Sequence, residues 1–282
     1  MYTQRPAEFT YHRPTSLDEA IGLLAKDGDA RPLAGGHSLL PMMKLRLAEP
    51  QAIVDIGRIP GLDGIEIEGD ALRIGALATH ASVAASELVR EKCRVLAATA
   101  EGIGDRQVRN RGTIGGSLAH ADPGADYPTV LSALGATVVV LGPDGEREIA
   151  ADDFFTGVFT TALEQGELVT AVRVPVVDRA AYVKHRHPAS GYAVAGVACV
   201  VRPDDARLVV GGVTGTPVRA TDAEQVLIGI APVDEEKIAA AAAKVPEALS
   251  GAIGDTYASG EYRVHLAQVL AGRAIKAALE AA

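Results

Sequence analysis

The stretch "RPLAGGHSLLPMMKLR", residues 31–46, decides how the chain is read. An apolar run stops at Gly35 and Gly36, Ser38 follows, and a helical pattern begins, as where a strand hands over to a helix. Glycines at such a junction let the backbone take positive φ and approach another group closely. Consecutive N–H groups in that kind of turn form a concave anion site, stronger where a helix N-terminus follows. The feature returns in "RNRGTIGGSLAHADPGAD", residues 109–126, with Thr113, Gly115, Gly116 and Ser117 in the same manner. Asp126 there offers a carboxylate to a ribose or ribityl hydroxyl. Neither stretch fits GxxxxGK[ST] or GxGxxG, so P-loop and Rossmann readings are poor. The residues alone leave two readings open: plain turns, or two loops closing on one diphosphate-containing ligand.

Outward from these loops the pattern is mixed. "SLDEAIGLLAKDGDA" reads as an amphipathic helix, with Ser16 and Glu19 at capping-box spacing and Gly28 as a stop. A short buried strand then ends at Gly35 and Gly36, Ser38 caps the next helix with Pro41 in its first turn, and "AIVDI" (52–56) is a strand. "ALRIGALAT" (71–79) reads as a strand, followed by two helical stretches over 81–101 and, after the second loop, a helix opened by Pro128. Pro143, Asp144 and Gly145 mark a hairpin turn, and "ELVTAVRVP" (167–175) closes the second unit. From residue 176 onward the strands alternate, Asp204 and Asp205 turn a hairpin, and an alanine-rich helical tail starts at Glu235. The expected class is α+β in three lobes, 1–57, 58–175 and 176–282.

The 282 residues are 48% hydrophobic and 22% charged, enough for a sizeable core. The formal net charge of −9 argues against nucleic acid as the main partner. Cys93 and Cys199 form no CxxC, which excludes an iron–sulfur cluster or cysteine-rich zinc site held by this chain alone. Both read as buried free thiols, which suits a reducing cytoplasm. No signal-peptide run or membrane span is seen, so a cytoplasmic protein is expected.

Some residues invite sharper readings. His37 and His120 sit in the glycine loops without a third metal ligand at helical or hairpin spacing, so polar contact with a cofactor is the better reading. His185 and His187 alternate along a strand with Arg186 facing the other way, as on a polar sheet face or subunit contact. Arg106, Arg109 and Arg111 are either a solvated loop or a balance for a diphosphate or an acidic partner. Asp122 and Asp126 are near enough in sequence to be an acid pair, yet no catalytic residue is assigned.

"AGGHSLLPMMKLRLAEP" (34–50), "GDRQVRNRGTIGGSLAHADPGADYP" (104–128) and "YVKHRHPASGYAVAGVAC" (182–199) closely resemble the FAD-binding medium subunits of the molybdenum hydroxylases, such as carbon monoxide dehydrogenase. The resemblance runs from about Phe9 to about Ala278. It implies a two-lobed FAD-binding domain of the vanillyl-alcohol-oxidase (PCMH) type and a small C-terminal domain with an antiparallel sheet and helices. By the same resemblance Leu33, Ala34, Gly35, Gly36, His37, Ser38 and Leu39 wrap the FAD diphosphate. Gly112, Thr113, Gly115, Gly116 and Ser117 bind it from the other lobe. Ala119, His120 and Asp126 line the adenine–ribityl path, Ile103 and Gly104 pack on the flavin side, and Val169 belongs to the same set. Lys184 matches a lysine near the flavin, and Tyr192 an aromatic lying against the isoalloxazine ring.

The implied function is an electron-transfer subunit carrying FAD. Its implied partners are a large molybdopterin-binding subunit and a small [2Fe–2S] subunit, in a dimer of heterotrimers. Two alternatives compete: a self-sufficient FAD-dependent reductase or oxidase of the same fold, and a cofactor-free scaffold. Turnover by the isolated chain would favour the first, and a colourless chain that takes up no FAD the second. Neither the substrate of the complex nor its electron acceptor is legible.

Overall fold

Ala52, Ile53 and Val54 are β-branched or small and buried, and they form the centre of a three-stranded parallel sheet. The computed structural model describes residues 5–230 and 233–281. Strand Ala52–Asp55 is flanked by Thr10–His12 and Arg31–Leu33, both parallel to it. Helix Leu17–Lys26 lays Ala20, Ile21 and Leu24 on this sheet, at helical spacing. Its N-cap is Ser16, which accepts from the Glu19 N–H at 3.3 Å, while the Glu19 carboxylate accepts from the Thr15 N–H at 2.9 Å.

The second sheet is antiparallel and five-stranded: Ile65–Glu68, Ala71–Gly75, Leu168–Pro175, Thr137–Gly142 and Gly145–Ala150, in that spatial order. Val138, Val140, Val172 and Val174 put alternate side chains into a core shared with Leu118, Tyr127, Leu131 and Leu134. The expected strand over 71–79 stops at Gly75. That glycine is pressed against the Leu62 carbonyl, and the chain turns there, with the Ala78 N–H donating to the Gly75 carbonyl. The expected pair of helices over 81–101 is three: His80–Ala85, Glu87–Lys92 and Arg94–Glu101. Ser86 leaves helical geometry to cap the second of them, and Cys93, at φ −155°, breaks the run again.

The third sheet, Ala180–Arg186, Ala193–Val201, Ala206–Gly211 and Val218–Arg219, is also antiparallel. All nine residues of Ala193–Val201 are buried, because helix Gly260–Glu280 covers one face and helix Asp126–Leu134 the other. Pro128 is the third residue of that second helix, where its missing N–H still costs nothing. The alanine-rich tail is two helices, Glu235–Ala248 and Gly260–Glu280, separated by a loop. Leu168 joins the first core while Val169 joins the second, so one strand ties the first two sheets together.

Candidate functional site

Strand Arg31–Leu33 delivers the first glycine loop to the C-terminal edge of the parallel sheet, where open α/β sheets collect ligands. The strand ends at Leu33, two residues short of the glycines. Gly36 has φ +75°, a conformation that side chains rarely adopt. Among the described residues, none accepts a hydrogen bond from the N–H of Gly35, Gly36, His37 or Ser38. Four successive bare donors are the groups an oxyanion requires. Ser38 makes no cap bond, contrary to the sequence reading. Its backbone is already in the right-handed helical region, because the helical turn starts earlier, with the Leu40 N–H donating to the Gly36 carbonyl.

The second loop is built differently. Thr113 caps helix Ile114–His120 by accepting from the Gly116 N–H at 3.1 Å. The N–H groups of Gly112, Ile114 and Gly115 donate to Val108, Ala78 and Ala76. Its glycines make room instead: a β-carbon on Gly115 would sit 2.5 Å from the Ala76 β-carbon, and one on Gly112 would sit 2.6 Å from His80 Nε2. The two loops nevertheless meet. A β-carbon on Gly35 would collide with the Arg111 carbonyl and lie 2.9 Å from the Gly112 Cα, and one on Gly116 would face Ala34 at 3.9 Å.

Between them runs a cleft of about 790 Å³. It brings together residues 33–39 from the first loop with Ile103, Gly104, Gly112, Thr113, Gly115, Gly116, Ser117, Ala119 and His120. Asp126, Val169 and Tyr192 complete the set expected from sequence. Lys184 is outside it: its Nζ is spent on Asp126 Oδ2 at 2.6 Å and the Gly191 carbonyl at 3.0 Å. Further wall residues, His80 and Phe159 among them, lie outside the set expected from sequence. His80 becomes part of the cleft only when Gly112 folds onto it, and Phe159 lies in a loop without periodicity.

Burial, with His37 and Arg109 nearby, pushes the His80 imidazole down to about 4, so it is neutral. Burial also lowers His120, against the pull of Asp122, and raises the Tyr192 phenol. Burial drives the Asp126 carboxyl up, while Lys184 and the Tyr182 hydroxyl, 2.7 Å away, oppose it. Asp122 accepts from the Gly124 N–H at 2.9 Å and caps the turn that precedes Asp126. Arg109 donates to the Ile103 and Gly104 carbonyls and holds that wall in place. His187 lies beyond its strand, its ring edge-on to Tyr257. Among the described residues no group of three or more His, Cys, Asp or Glu side chains could hold a metal ion. No helix among them is long and apolar enough to cross a membrane.

A long cleft with free backbone donors at a side-chain-poor turn and aromatic rings along its wall suits a phosphate-bearing cofactor with ring systems. The family described as "FAD binding domain in molybdopterin dehydrogenase" matches residues 7–177, and "CO dehydrogenase flavoprotein C-terminal domain" matches 180–278. The chain therefore belongs to the FAD-binding subunits of the molybdopterin dehydrogenases, and it is an oxidoreductase subunit whose cofactor is FAD. It is 40% identical to the carbon monoxide dehydrogenase medium chain of Afipia carboxidovorans, over 97% of each chain. It is also 40% identical to the nicotine 6-hydroxylase medium subunit of Paenarthrobacter nicotinovorans, over 94% of this chain and 95% of that one. Carbon monoxide dehydrogenase from Hydrogenophaga pseudoflava superposes with a TM-score of 0.93, at 40% identity over 98% of each chain.

Proposed function

We propose that FAD lies in the cleft between the two glycine loops, with its diphosphate on the N–H groups of Gly35, Gly36, His37 and Ser38. The observation that carries this reading is the contact of Gly35 with Arg111 beside those four donors. A ligand held by one loop is thereby held against the other. When bound, FAD supplies the redox chemistry; the protein contributes position, exclusion of water and local electrostatics. Ser117 and Asp126 reach the cleft from the second lobe, and a neutral His80 keeps a positive charge out of its buried wall.

In this reading the chain is the medium subunit of a molybdenum hydroxylase, with a PCMH-type FAD-binding domain in two lobes (1–57 and 58–175) and a C-terminal domain from 176. It relays electrons from the [2Fe–2S] clusters of a small partner subunit, through FAD, to an external acceptor. A large molybdopterin-binding subunit performs the hydroxylation, in a cytoplasmic dimer of heterotrimers. Cys93 and Cys199, both buried free thiols, support the division of labour, since neither is available to ligate a cluster. Relatives equally identical to this chain carry names as different as carbon monoxide dehydrogenase and nicotine 6-hydroxylase. The substrate is accordingly a property of the large subunit.

The test is purification of the chain from its native source under mild conditions. Two further subunits with molybdenum and [2Fe–2S] signals, and flavin bleaching when the substrate of the complex is added, are expected. A chain that purifies alone and turns over a substrate by itself would overturn the relay.

A further inference from the structure

Phe159 is placed at odds with ordinary folding economy. Its backbone has φ +53°, one of three non-glycine residues with positive φ among those described, and the residue is 56% exposed. Its N–H donates to the Ala121 carbonyl at 3.2 Å, and Ala121 is itself left-handed, at φ 49°. Neighbouring Val158 is 51% exposed. A large apolar side chain that is more than half exposed and in a disfavoured backbone conformation is costly to the apo fold, where glycine would carry the turn without strain. The ring is also held in place: it lies on the His120 imidazole, with centroids 5.1 Å apart and planes inclined at 41°. Both residues line the cleft. Ala121, whose carbonyl holds the Phe159 N–H, is three positions before Gly124, on which a β-carbon would lie 3.4 Å from the Tyr192 β-carbon, so this pair sits toward the Tyr192 end of the cleft.

We infer that Phe159, seated on His120, is a contact of the isoalloxazine ring of FAD in this cleft, on the side where the resemblance sets Tyr192. The inference rests on the reading that FAD occupies the cleft. Flat aromatic surfaces attract one another beyond the area they bury, and an exposed ring already fixed on a second ring loses little freedom when a third covers it. The imidazole beneath, whose burial disfavours its charged form, supports the ring without favouring a cation beside the flavin.

The experiment uses the full chain and Phe159→Gly, Phe159→Tyr and Gly35→Ala. Phe159→Gly removes the ring and relieves the positive φ. It is expected to weaken FAD binding by about threefold to tenfold, the range measured for one aromatic contact. It should also change the visible circular dichroism of the bound flavin and leave the melting temperature of the apo chain equal or higher. Competition by ADP, which has the adenine and diphosphate but no isoalloxazine, should be unaffected, and Phe159→Tyr should behave like the parent. Unchanged FAD affinity and dichroism, an equal loss of ADP affinity, or a lowered apo melting temperature would each overturn the assignment. Gly35→Ala separates the two readings. If it spares FAD binding, the cleft reading itself fails; if it abolishes binding while Phe159→Gly has no effect, only the role of Phe159 falls.

Discussion

Lys184 and Asp126 are buried against each other, with Nζ 2.6 Å from Oδ2 and side-chain exposures of 7% and 5%. Lys184 lies on strand Ala180–Arg186 and Asp126 opens helix Asp126–Leu134, so the pair pins the C-terminal sheet to the cleft wall. Tyr182, two residues along the same strand, adds a second hydrogen bond to the same carboxylate. The lysine therefore acts on the cleft through Asp126. Truncating it as Lys184→Ala strands a buried carboxylate and should cost about 3–5 kcal/mol in urea denaturation of the apo chain. The double variant Lys184→Met with Asp126→Leu should cost less than Lys184→Met alone, since no charge is left unpaired. Additive losses would contradict the pairing.

The residues that the sequence made legible are those whose chemistry is local. The capping serine at 16 and the hairpin at Pro143 need only neighbouring residues to be read, and each stands where its local pattern predicted; the glycine pairs do line the cleft, but Ser38 beside the first makes no cap bond. What stayed hidden depends on distant partners. Lys184 meets Asp126 across 58 positions, and His80 becomes a wall residue only because Gly112 leaves space for it. Phe159 is held by the carbonyl of Ala121, a residue far upstream in the chain. The second glycine loop misled for a related reason. Its N–H groups are consumed by Ala76, Ala78 and Val108, and no spacing rule reports where a donor is already spent.

His80 makes stability depend on pH. Its folded-state value, about 4, is below the ordinary imidazole value of 6.5, so the unfolded chain binds the proton first. The contribution is fully present above pH 6.5 and is lost as pH falls toward 4, where it amounts to roughly 3 kcal/mol at most. Denaturant titrations at pH 7.5 and 4.5 should show this loss in the apo chain. His80→Leu should flatten the slope by a corresponding amount, and an unchanged slope would assign the acid sensitivity elsewhere.

Ser16 and Ser38 separate a capping serine from one that lines the cleft. Ser16 accepts from the Glu19 N–H, so Ser16→Ala should cost about 1 kcal/mol of stability. Ser38 makes no cap bond, so Ser38→Ala should change apo stability by less than about 0.5 kcal/mol. The order should reverse for cofactor binding. Flavin fluorescence titration is expected to show weaker FAD binding for Ser38→Ala and none of that weakening for Ser16→Ala.

Arg263 supports the cleft from the far side of the C-terminal sheet. It is 7% exposed, donates to the Val194 carbonyl at 2.9 Å and the Gly212 carbonyl at 2.7 Å, and pairs with Asp255 at 2.5 Å. Val194 is two residues from Tyr192, and the intervening Ala193 N–H donates to the Gly124 carbonyl at 3.0 Å, in the turn that Asp122 caps. One guanidinium thus fixes the strand that presents Tyr192 and, through Ala193, its register with the cleft wall. Arg263→Leu leaves two buried carbonyls without a donor and should cost about 2–4 kcal/mol. Lysine holds the charge but not the planar fork, so Arg263→Lys should fall between the two. Hydrogen exchange at the Ala193 amide is the decisive readout. It should accelerate in Arg263→Leu beyond what the global loss of stability allows, whereas exchange that merely tracks global unfolding would remove the link between Arg263 and the position of Tyr192.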